Sequence, residues 1–327
     1  MEITRKNGVT TFVKEEDRPF RVLQLTDIHI GGGFLCFRKD RWALDAVEKV
    51  VKAADPDLVV MTGDMVYPLF WATGARNNRR PAKKLATLLQ GLGKPWCFAF
   101  GNHDGEVFAT FTKEQLGEYM KSFGGCLYER GEEGITGCGN YCIRIENPDG
   151  TPAMLLMMVD SNAYITKSFF SGFDVIHDDQ IDWYKRTVTA QSEDGKVAPS
   201  LAFFHIPPKE FKEAWDKCYR GDKDVIYHHG FVLEKDNYFG YPKERKSNFF
   251  KEMVDFGSCK GMFMGHDHVN TLSLTYKGIR MTYGMSIDYL AYIGIKKKHT
   301  QRGGTIIEIN GDGSFDVKML PLTDIKQ

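Results

Sequence analysis

The chain has no excess of charge of either sign, because 43 Lys and Arg residues balance 43 Asp and Glu residues. A neutral chain lacks the long-range field that holds proteins on DNA or anionic membranes, which argues against a nucleic-acid polymer as substrate. It also lacks any run approaching the roughly 18–20 apolar residues that span a bilayer, so we expect no membrane partner. We predict a cytoplasmic protein; a secreted protein that has lost its leader would show the same pattern.

Cysteine is sparse, with seven residues in a chain of 327. Only Cys138 and Cys142 lie close together, and this C-x3-C spacing without a second pair is a weak zinc signal. We expect both to be strand residues with reduced thiols. Low-complexity tracts, internal repeats and a Pro/Gly/Ser-rich linker are also absent from the sequence, so we predict a single domain over residues 1–327.

Apolar strands alternate with amphipathic helices through most of the chain, which predicts βαβ units with parallel strands. From residue 271 onward the pattern changes to hairpins, over residues 271–283 and 305–320, which indicates a second, more antiparallel sheet. The predicted strands cover residues 20–26, 57–62, 95–100, 153–159, 200–204 and 261–264, and the predicted helices cover residues 41–54, 82–92 and 178–190.

Two irregular stretches, residues 68–81 and 219–247, are longer than ordinary connections. We predict that they are loops over the functional site, since long loops in compact domains are commonly functional.

Metal-ligand residues follow the apolar strands at five places, and five of the nine histidines belong to them. Asp, Asn and His supply the oxygen and nitrogen donors that a pair of metal ions needs. Because such strands end at one edge of an α/β sheet, we expect these side chains to converge there. The segments are Asp27-Ile28-His29, Gly63-Asp64, Gly101-Asn102-His103-Asp104, His205 and Gly265-His266-Asp267-His268.

Asp64 is the candidate for a bridge between two metals, because a carboxylate has two oxygens and paired metals lie about 3.5–4 Å apart. Mixed oxygen and nitrogen donors accept Mn, Fe, Zn or a mixed pair, and the sequence does not choose among them. The other candidate ligands are Asp27, His29 and His268 for one metal and Asn102, His205 and His266 for the other.

The ordered pattern D-x-H, G-D, G-N-H-D, H and G-H-x-H, from Asp27 to His268, resembles the calcineurin-like metallophosphoesterases. Phe204-His205-Ile206-Pro207-Pro208, Asn248-Phe249-Phe250 and Tyr283-Gly284 are similar to the purple-acid-phosphatase-related subgroup, which includes plant and fungal phosphatases. The resemblance implies an α/β fold, a four-layer αββα sandwich of two mixed β-sheets flanked by helices. It also implies two metal ions, a metal-bridging hydroxide as nucleophile, and His103 as the general acid that protonates the leaving group.

At Tyr67 the chain departs from that family pattern. Many relatives have an Asp at this position, three residues after the bridging carboxylate, and it orients the catalytic histidine. Purple acid phosphatases have a tyrosine there as an iron ligand, but they usually lack the histidine that His29 supplies. With both residues present, we interpret Tyr67 as a hydroxyl beside the ligands or facing the substrate.

The two long stretches contain further candidate substrate-binding residues. Arg76 and Arg79 could hold a phosphate through paired hydrogen bonds, although a solvated surface loop explains them equally well. His228 and His229 could line the substrate pocket.

Three functions fit these residues. The leading one is a phosphomonoesterase that acts on a phosphorylated small molecule or protein. A phosphodiesterase or nucleotide pyrophosphatase would use the same core, and the candidate ligands do not separate the two. A non-catalytic scaffold with a metallophosphoesterase fold is the third, but a scaffold has no need of seven metal donors and an acid.

Overall fold

In the computed structural model the described residues are 2–6, 8–15, 18–166, 171–193, 195–292, 295 and 301–326. The strands are β1 (Ile3–Lys6), β2 (Val9–Val13), β3 (Phe20–Leu25), β4 (Leu58–Thr62), β5 (Trp96–Ala99), β6 (Tyr141–Glu146), β7 (Pro152–Met158), β8 (Ser200–Phe203), β9 (Val225–His229), β10 (Cys259–Met264), β11 (Ser273–Tyr276), β12 (Ile279–Tyr283), β13 (Gly303–Ile309) and β14 (Phe315–Pro321). The α-helices are α1 (Phe37–Ala54), α2 (Phe70–Thr73), α3 (Arg79–Leu92), α4 (Lys113–Lys121), α5 (Asp178–Gln191), α6 (Lys209–Tyr219) and α7 (Phe249–Phe256).

The strands form two mixed sheets. The nine-stranded sheet has the order β1-β2-β6-β7-β8-β10-β12-β11-β9, and the five-stranded sheet has the order β14-β13-β3-β4-β5. Parallel pairs join β7, β8, β10 and β12 in the larger sheet, and β3, β4 and β5 form the parallel side of the smaller sheet, with β5 at its edge. Antiparallel hairpins lie toward the edges.

Side-chain alternation along β8 shows how the layers stack. Leu201 and Phe203 belong to the apolar core that includes β3, β4 and β5, whereas Ala202 and Phe204 belong to the core beneath α5 and α7. Successive strand residues point to opposite faces, so a strand buried on both faces must be apolar throughout. Helix α1 contacts β3 and β13 of the smaller sheet. These layers confirm the predicted αββα sandwich.

The hairpin prediction was wrong in one respect, because the two hairpins do not form a sheet of their own. The hairpin of β11 and β12 joins the larger sheet through β12, which pairs with β10, and the hairpin of β13 and β14 joins the smaller sheet through β13, which pairs with β3. The motif-bearing strands are therefore divided between two sheets, with β3, β4 and β5 in one and β8 and β10 in the other.

The two predicted long loops contain regular structure. Residues 68–81 include helix α2 and the first turn of α3, and residues 219–247 include strand β9. Cys142 lies in β6 as expected, but Cys138 lies in the loop before it, and both thiols are free. Among the described residues, no helix has both the length and the apolar character that crossing a membrane requires.

Candidate dinuclear metal centre

The candidate ligands follow the carboxyl ends of strands from both sheets. Several have left-handed backbone conformations, with φ of 50° at Asp27, 53° at His29, 50° at Asp64 and 77° at His266. Such conformations cost on the order of 1 kcal/mol or more for residues other than glycine, and they concentrate at functional sites. Strands β3, β4, β5, β8 and β10 thus deliver Asp27, Asp64, Asn102, His205 and His266, respectively.

The ends of the two sheets are tied together beneath these ligands. Gln24 in β3 donates from Nε2 to the carbonyl of Met264 in β10, at 3.1 Å. The imidazole Nδ1 of His205 lies 2.8 Å from the carbonyl oxygen of Thr62, at the end of β4. Each sheet therefore holds the other's ligand-bearing strand ends in place.

At two of the motif glycines, the neighbouring side chains leave no room for a Cβ atom. A Cβ at Gly101 would lie 2.2 Å from Oδ1 of Asp64, and a Cβ at Gly265 would lie 1.9 Å from Oγ1 of Thr26 and 2.6 Å from Oδ2 of Asp27. Any larger residue would displace the candidate ligands, so these glycines let neighbouring strand ends approach each other.

The first donor set combines Asp27, His29 and His268, whose donor atoms all lie within 4.8 Å of one another. Nε2 of His268 lies 3.5 Å from Oδ1 of Asp27, and Nε2 of His29 lies 3.2 Å from Oδ2 of Asp64. All four side chains are largely or fully buried. Asp64 thus lies at the boundary of this set.

The second donor set combines Asp64, His205 and His266, again within 4.8 Å. Nε2 of His205 lies 3.2 Å from Oδ2 of Asp64, 3.1 Å from Oδ1 of Asn102 and 3.3 Å from Nδ1 of His266. The same Asp64 oxygen therefore contacts His29 of the first set and His205 of the second, as a bridging ligand would.

These donors fit a pair of metal ions. Carboxylate, amide and imidazole atoms crowd together in a buried space, and each has lone pairs that a cation would accept. Three or four protein donors for each ion leave positions open for water or substrate, as catalytic sites require. Asp27, His29, Asp64 and His268 would hold one ion, and Asp64, Asn102, His205 and His266 would hold the other.

The charges of the site shift several pKa values. Burial would raise the pKa of Asp64, but the charges of His205 and His103 and hydrogen bonds from His205 and His29 hold it well below its usual range. Burial lowers the pKa of His205, yet Asp64 outweighs it and raises that pKa to about 9. The pKa of His268 is raised to about 10 because Asp288 outweighs burial. Burial and the charge of His205 lower the pKa of His266.

Metal binding at pH 7 is expected to release about two protons from the ligand histidines, to which a metal-bound water that ionises would add its own. The raised pKa values of about 9 for His205 and about 10 for His268 mean that both imidazoles are protonated in metal-free protein at pH 7, and a metal ligand must be neutral. Apparent metal affinity should therefore rise as pH increases toward 9–10, and proton release should fall. Calorimetric titration of metal-depleted protein with Mn²⁺ or Zn²⁺ in buffers of different ionisation enthalpy measures the released protons; release near zero at pH 7 would contradict the expectation.

A carboxylate behind the first donor set was not predicted from the sequence. The oxygens of Asp288 lie 3.6 Å from Nδ1 of His29 and 3.1 Å from Nδ1 of His268, on the side of each ring opposite the Nε2 atoms that face Asp64 and Asp27. The Asp288 carboxylate also accepts backbone N–H donors from residues 290–292. The 3.1 Å contact places this carboxylate to orient the ring of His268, and it lies behind the ring of His29 at a distance longer than a hydrogen bond.

Asp288→Asn is expected to weaken binding of one metal by about 10- to 100-fold, because a carboxylate behind a ligating histidine raises its basicity and fixes its ring. Competition with a chelator measures the affinity. Asp57→Asn is the matched control, since Asp57 is a nearly buried carboxylate that pairs with Arg18 and a backbone N–H at the opposite end of β4. Equal metal affinities in the two variants would exclude this role for Asp288.

His103 lies beside the bridging carboxylate. Its backbone N–H donates to Oδ1 of Asp64 at 2.8 Å, and its Nδ1 lies 2.7 Å from Oε1 of Glu106. The hydroxyl of Tyr164 donates to the same Glu106 oxygen at 3.5 Å and accepts from Nδ2 of Asn102 at 3.0 Å. Burial lowers the pKa of His103, but Asp64 and Glu106 outweigh it and raise that pKa.

Asp104, the last residue of its motif, fixes the loops around Asp64. Its carboxylate accepts the backbone N–H groups of Asp64 at 3.0 Å, Val66 at 3.0 Å and Gly101 at 2.8 Å. Burial and the charge of Asp64 raise the pKa of Asp104 to about 6. The residue thus joins the segments that follow β4 and β5.

Tyr67 packs edge-on against two histidines of the site, with ring centroids 5.1 Å from His29 and 4.7 Å from His103. Burial and the charge of Asp64 raise its pKa, which keeps the phenol neutral. The ring therefore forms one wall of the site, and the carboxylate that contacts His103 is that of Glu106.

The remaining substrate candidates make other contacts. The guanidinium of Arg79 lies over the rings of Phe111 and Tyr119, at 5.7 Å and 5.0 Å, so this residue packs at the start of α3. His228 and His229 belong to the edge strand β9 and not to a loop. Nε2 of His228 contacts Oγ1 of Thr275 at 2.8 Å, and burial together with Arg280 lowers the pKa of His229 to about 4.

The stretch that follows β9 does reach the candidate centre. A Cβ at Gly240 would lie 2.3 Å from the ring of His266, and the N–H of Gly240 donates to the carboxylate of Asp267. Phe173 packs edge-on against His266 from another loop, with centroids 4.5 Å apart. His266 is thus enclosed by two connecting segments.

Comparison with known proteins agrees with this geometry. A family model described as calcineurin-like phosphoesterase matches residues 20–270. The chain is 26% identical over 348 residues to an Arabidopsis thaliana protein named probable inactive purple acid phosphatase 29, with 93% of this chain and 84% of the relative covered. It is 27% identical over 294 residues to phosphatase DCR2 of Saccharomyces cerevisiae, with 82% of this chain and 47% of the relative covered.

Among solved structures, a dimetal phosphatase from Danio rerio aligns with a TM-score of 0.58 at 13% identity, covering 94% of this chain and 97% of that one. At this identity the likeness shows the fold. The relatives confirm the purple-acid-phosphatase-related subgroup, and the family together with the two donor sets indicates a dinuclear metal site. The chain belongs to the calcineurin-like phosphoesterase family.

Proposed function

We propose that the chain is a phosphomonoesterase that depends on two metal ions and uses His103 as general acid. The observation that carries the proposal is the shared oxygen of Asp64, which contacts both donor sets, together with a ring nitrogen of His103 within 4.8 Å of a carboxylate oxygen of Asp64. When bound, two such ions supply positive charge for the phosphoryl oxygens and lower the pKa of water.

The protein's own residues supply positioning and a proton. Glu106 holds Nδ1 of His103, which leaves Nε2 as the nitrogen that would donate a proton to the leaving oxygen. The raised pKa of His103 favours the protonated form that an acid needs. Tyr164 fixes the amide of Asn102, and Asp104 fixes the backbone around Asp64, so the donors keep their places during turnover.

Two alternatives have observations in their favour. A phosphodiesterase would use the same donors, and a sphingomyelin phosphodiesterase 1 from Caenorhabditis elegans is a relative at 21% identity over 68% of this chain and 36% of that protein. A scaffold without activity is favoured by the word inactive in the name of the Arabidopsis relative. Against the scaffold stand the complete donor sets and the oriented His103.

The test is hydrolysis of p-nitrophenyl phosphate against bis-p-nitrophenyl phosphate by metal-depleted protein resupplied with Mn, Fe or Zn. Metal-dependent preference for the monoester supports the proposal. Preference for the diester assigns a phosphodiesterase. A protein that binds two metals but hydrolyses neither ester nor any member of a phosphate-ester panel would favour the scaffold.

A further inference from the structure

A groove of about 600 Å³, here called the α1 groove, lies between helix α1 and the segment that connects β12 to β13. Pockets that hold small-molecule ligands have volumes of about 300–1,000 Å³, so this groove has room for one. None of the described residues that line it belongs to the two donor sets. Its lining includes Lys39, Trp42 and Lys49 of α1, and Tyr289, Tyr292 and Arg302 of the connecting segment.

Arg302 brings a buried positive charge to the α1 groove. The residue is only 1% exposed, and its side chain donates from Nε to the carbonyl of Asp288 at 2.8 Å and from Nη1 to the carbonyl of Ile295 at 3.4 Å. Within the residues that the structure describes, no carboxylate lies at ion-pair distance from this guanidinium, and its Nη2 has no hydrogen-bond partner. A buried charge without a counterion is costly. An anion in the groove would supply the missing partner.

The carboxylate of Asp288 is already used by other groups. It accepts the backbone N–H groups of Leu290 and Tyr292, each at 2.7 Å, and it lies 3.1 Å from Nδ1 of His268. Arg302 contacts the backbone carbonyl of the same residue instead. The turn after Asp288 therefore brings tyrosine side chains to the groove and leaves the charge of Arg302 without an anionic partner.

Two aromatic rings lie next to this charge. The guanidinium carbon of Arg302 is 4.0 Å from the ring centroid of Tyr289, and the ring of Trp42 lies 6.0 Å from that of Tyr289. Trp42 is 43% exposed, so part of its indole is open to a ligand. Aromatic rings and guanidinium groups both stack on planar molecules. This part of the groove thus favours a flat aromatic ring.

The charges of the lining favour an anion. Lys39, Lys49 and Arg302 carry positive charge, whereas Asp45 is the one carboxylate among the described lining residues. Asp45 has a positive neighbour of its own, because one of its oxygens lies 4.0 Å from Nε of Arg41. Neither lysine makes an ion pair in the described part of the chain. A ligand with negative charge would therefore meet cations that are free to bind it.

We propose that the α1 groove binds a small molecule that has both a planar aromatic ring and an anionic group, the combination found in nucleotides. The ring lies against Trp42 and Tyr289, and the anionic group lies toward Arg302 and the two lysines. This site is separate from the candidate metal centre, and it does not depend on the proposed function.

The test measures binding of naphthalene-2-sulfonate to the full chain by calorimetry. Two further probes each lack one feature, since 2-naphthalenemethanol has no charge and methanesulfonate has no ring. We expect naphthalene-2-sulfonate to bind at least about tenfold more tightly than either. Trp42→Ser and Lys39→Gln should each weaken its binding by about 3- to 10-fold.

The matched controls are Tyr219→Ser and Lys83→Gln. Tyr219 is an 84% exposed aromatic residue at the end of α6, Lys83 is an exposed lysine of α3, and both lie outside the lining of the groove. Both variants should bind the probe as the unmodified protein does. Asp64→Asn should also keep the affinity, because the groove uses none of the metal donors.

Three results would overturn the proposal. The first is equal affinity for the three probes. The second is binding to Trp42→Ser and Lys39→Gln that equals binding to the two controls. The third is binding that Asp64→Asn loses and Trp42→Ser keeps, which would place the probe at the metal centre. Absence of ester hydrolysis would overturn the proposed function and leave the α1 groove unaffected.

Discussion

Asp64→Asn is expected to reduce turnover of p-nitrophenyl phosphate by roughly 1,000-fold or more, which is about 4 kcal/mol of activation free energy. The substitution keeps the shape of the side chain but removes the charge shared by His29 and His205 and places an amide where one carboxylate oxygen lies. Neither histidine would then have its anionic partner, and a bridging ligand would be lost. Metal content should fall below two ions per chain when it is measured by elemental analysis.

The matched control is again Asp57→Asn, because Asp57 precedes the first residue of β4 whereas Asp64 follows its last. Asp57 pairs with Arg18 and a backbone N–H, so its substitution can lower thermal stability without reaching the centre. We expect unchanged metal content and turnover within about threefold. If both variants lose activity in proportion to stability, Asp64 has only a structural role.

His103→Gln is expected to slow hydrolysis of phenyl phosphate by roughly 100- to 10,000-fold, the usual range for a lost general acid. The loss for p-nitrophenyl phosphate should be much smaller, because p-nitrophenolate is stable enough to leave without a proton. A ring nitrogen of His103 also lies within 4.8 Å of donor atoms of His29 and Asp64. Metal content must therefore be measured, and it should stay at the wild-type value.

Glu106→Gln is expected to cause a smaller loss of activity than His103→Gln. The variant keeps a hydrogen-bond acceptor for Nδ1 of His103 but removes the charge that stabilises the imidazolium. Its hydrolysis of phenyl phosphate should therefore be slowed less than that of His103→Gln. Within the Glu106→Gln variant, hydrolysis of phenyl phosphate should be slowed more than hydrolysis of p-nitrophenyl phosphate. Equal losses for both substrates, or loss of metal in either variant, would make His103 a ligand and not an acid.

The strand ends could be predicted because the signal is local. The apolar run of residues 58–62 ends two residues before Asp64, and parallel strands place their carboxyl ends together. The partners of the C-terminal hairpins could not be predicted, since β13 pairs with β3 across most of the chain length. Alternation along a strand shows that it has a buried face but not which sheet it joins.

Among the residues around the ligands, too, some positions had a local signal in the sequence and others had none. Glu106 is three residues after His103, in the turn that ends the motif, so its position beside the imidazole had a local signal. Asp288 is far in sequence from both His29 and His268, and no spacing relates it to them. Strand β9 was mistaken for a loop because it is a short edge strand whose exposed residues include His228, without the apolar alternation of inner strands.

The division of the ligands between two sheets gives the metals a mechanical role as well. Each donor set takes side chains from both hydrogen-bonded layers, with Asp27 and His29 after β3 and His268 after β10 in one, and Asp64 after β4 and His205 after β8 in the other. Bound ions would cross-link the layers at one end, and a ligand present at about 1,000 times its dissociation constant adds about 4 kcal/mol of stability. Loss of metal would then weaken the sandwich at the end that carries the ligands and expose the chain to proteases. Metal supply would set the lifetime of the protein as well as its rate of hydrolysis.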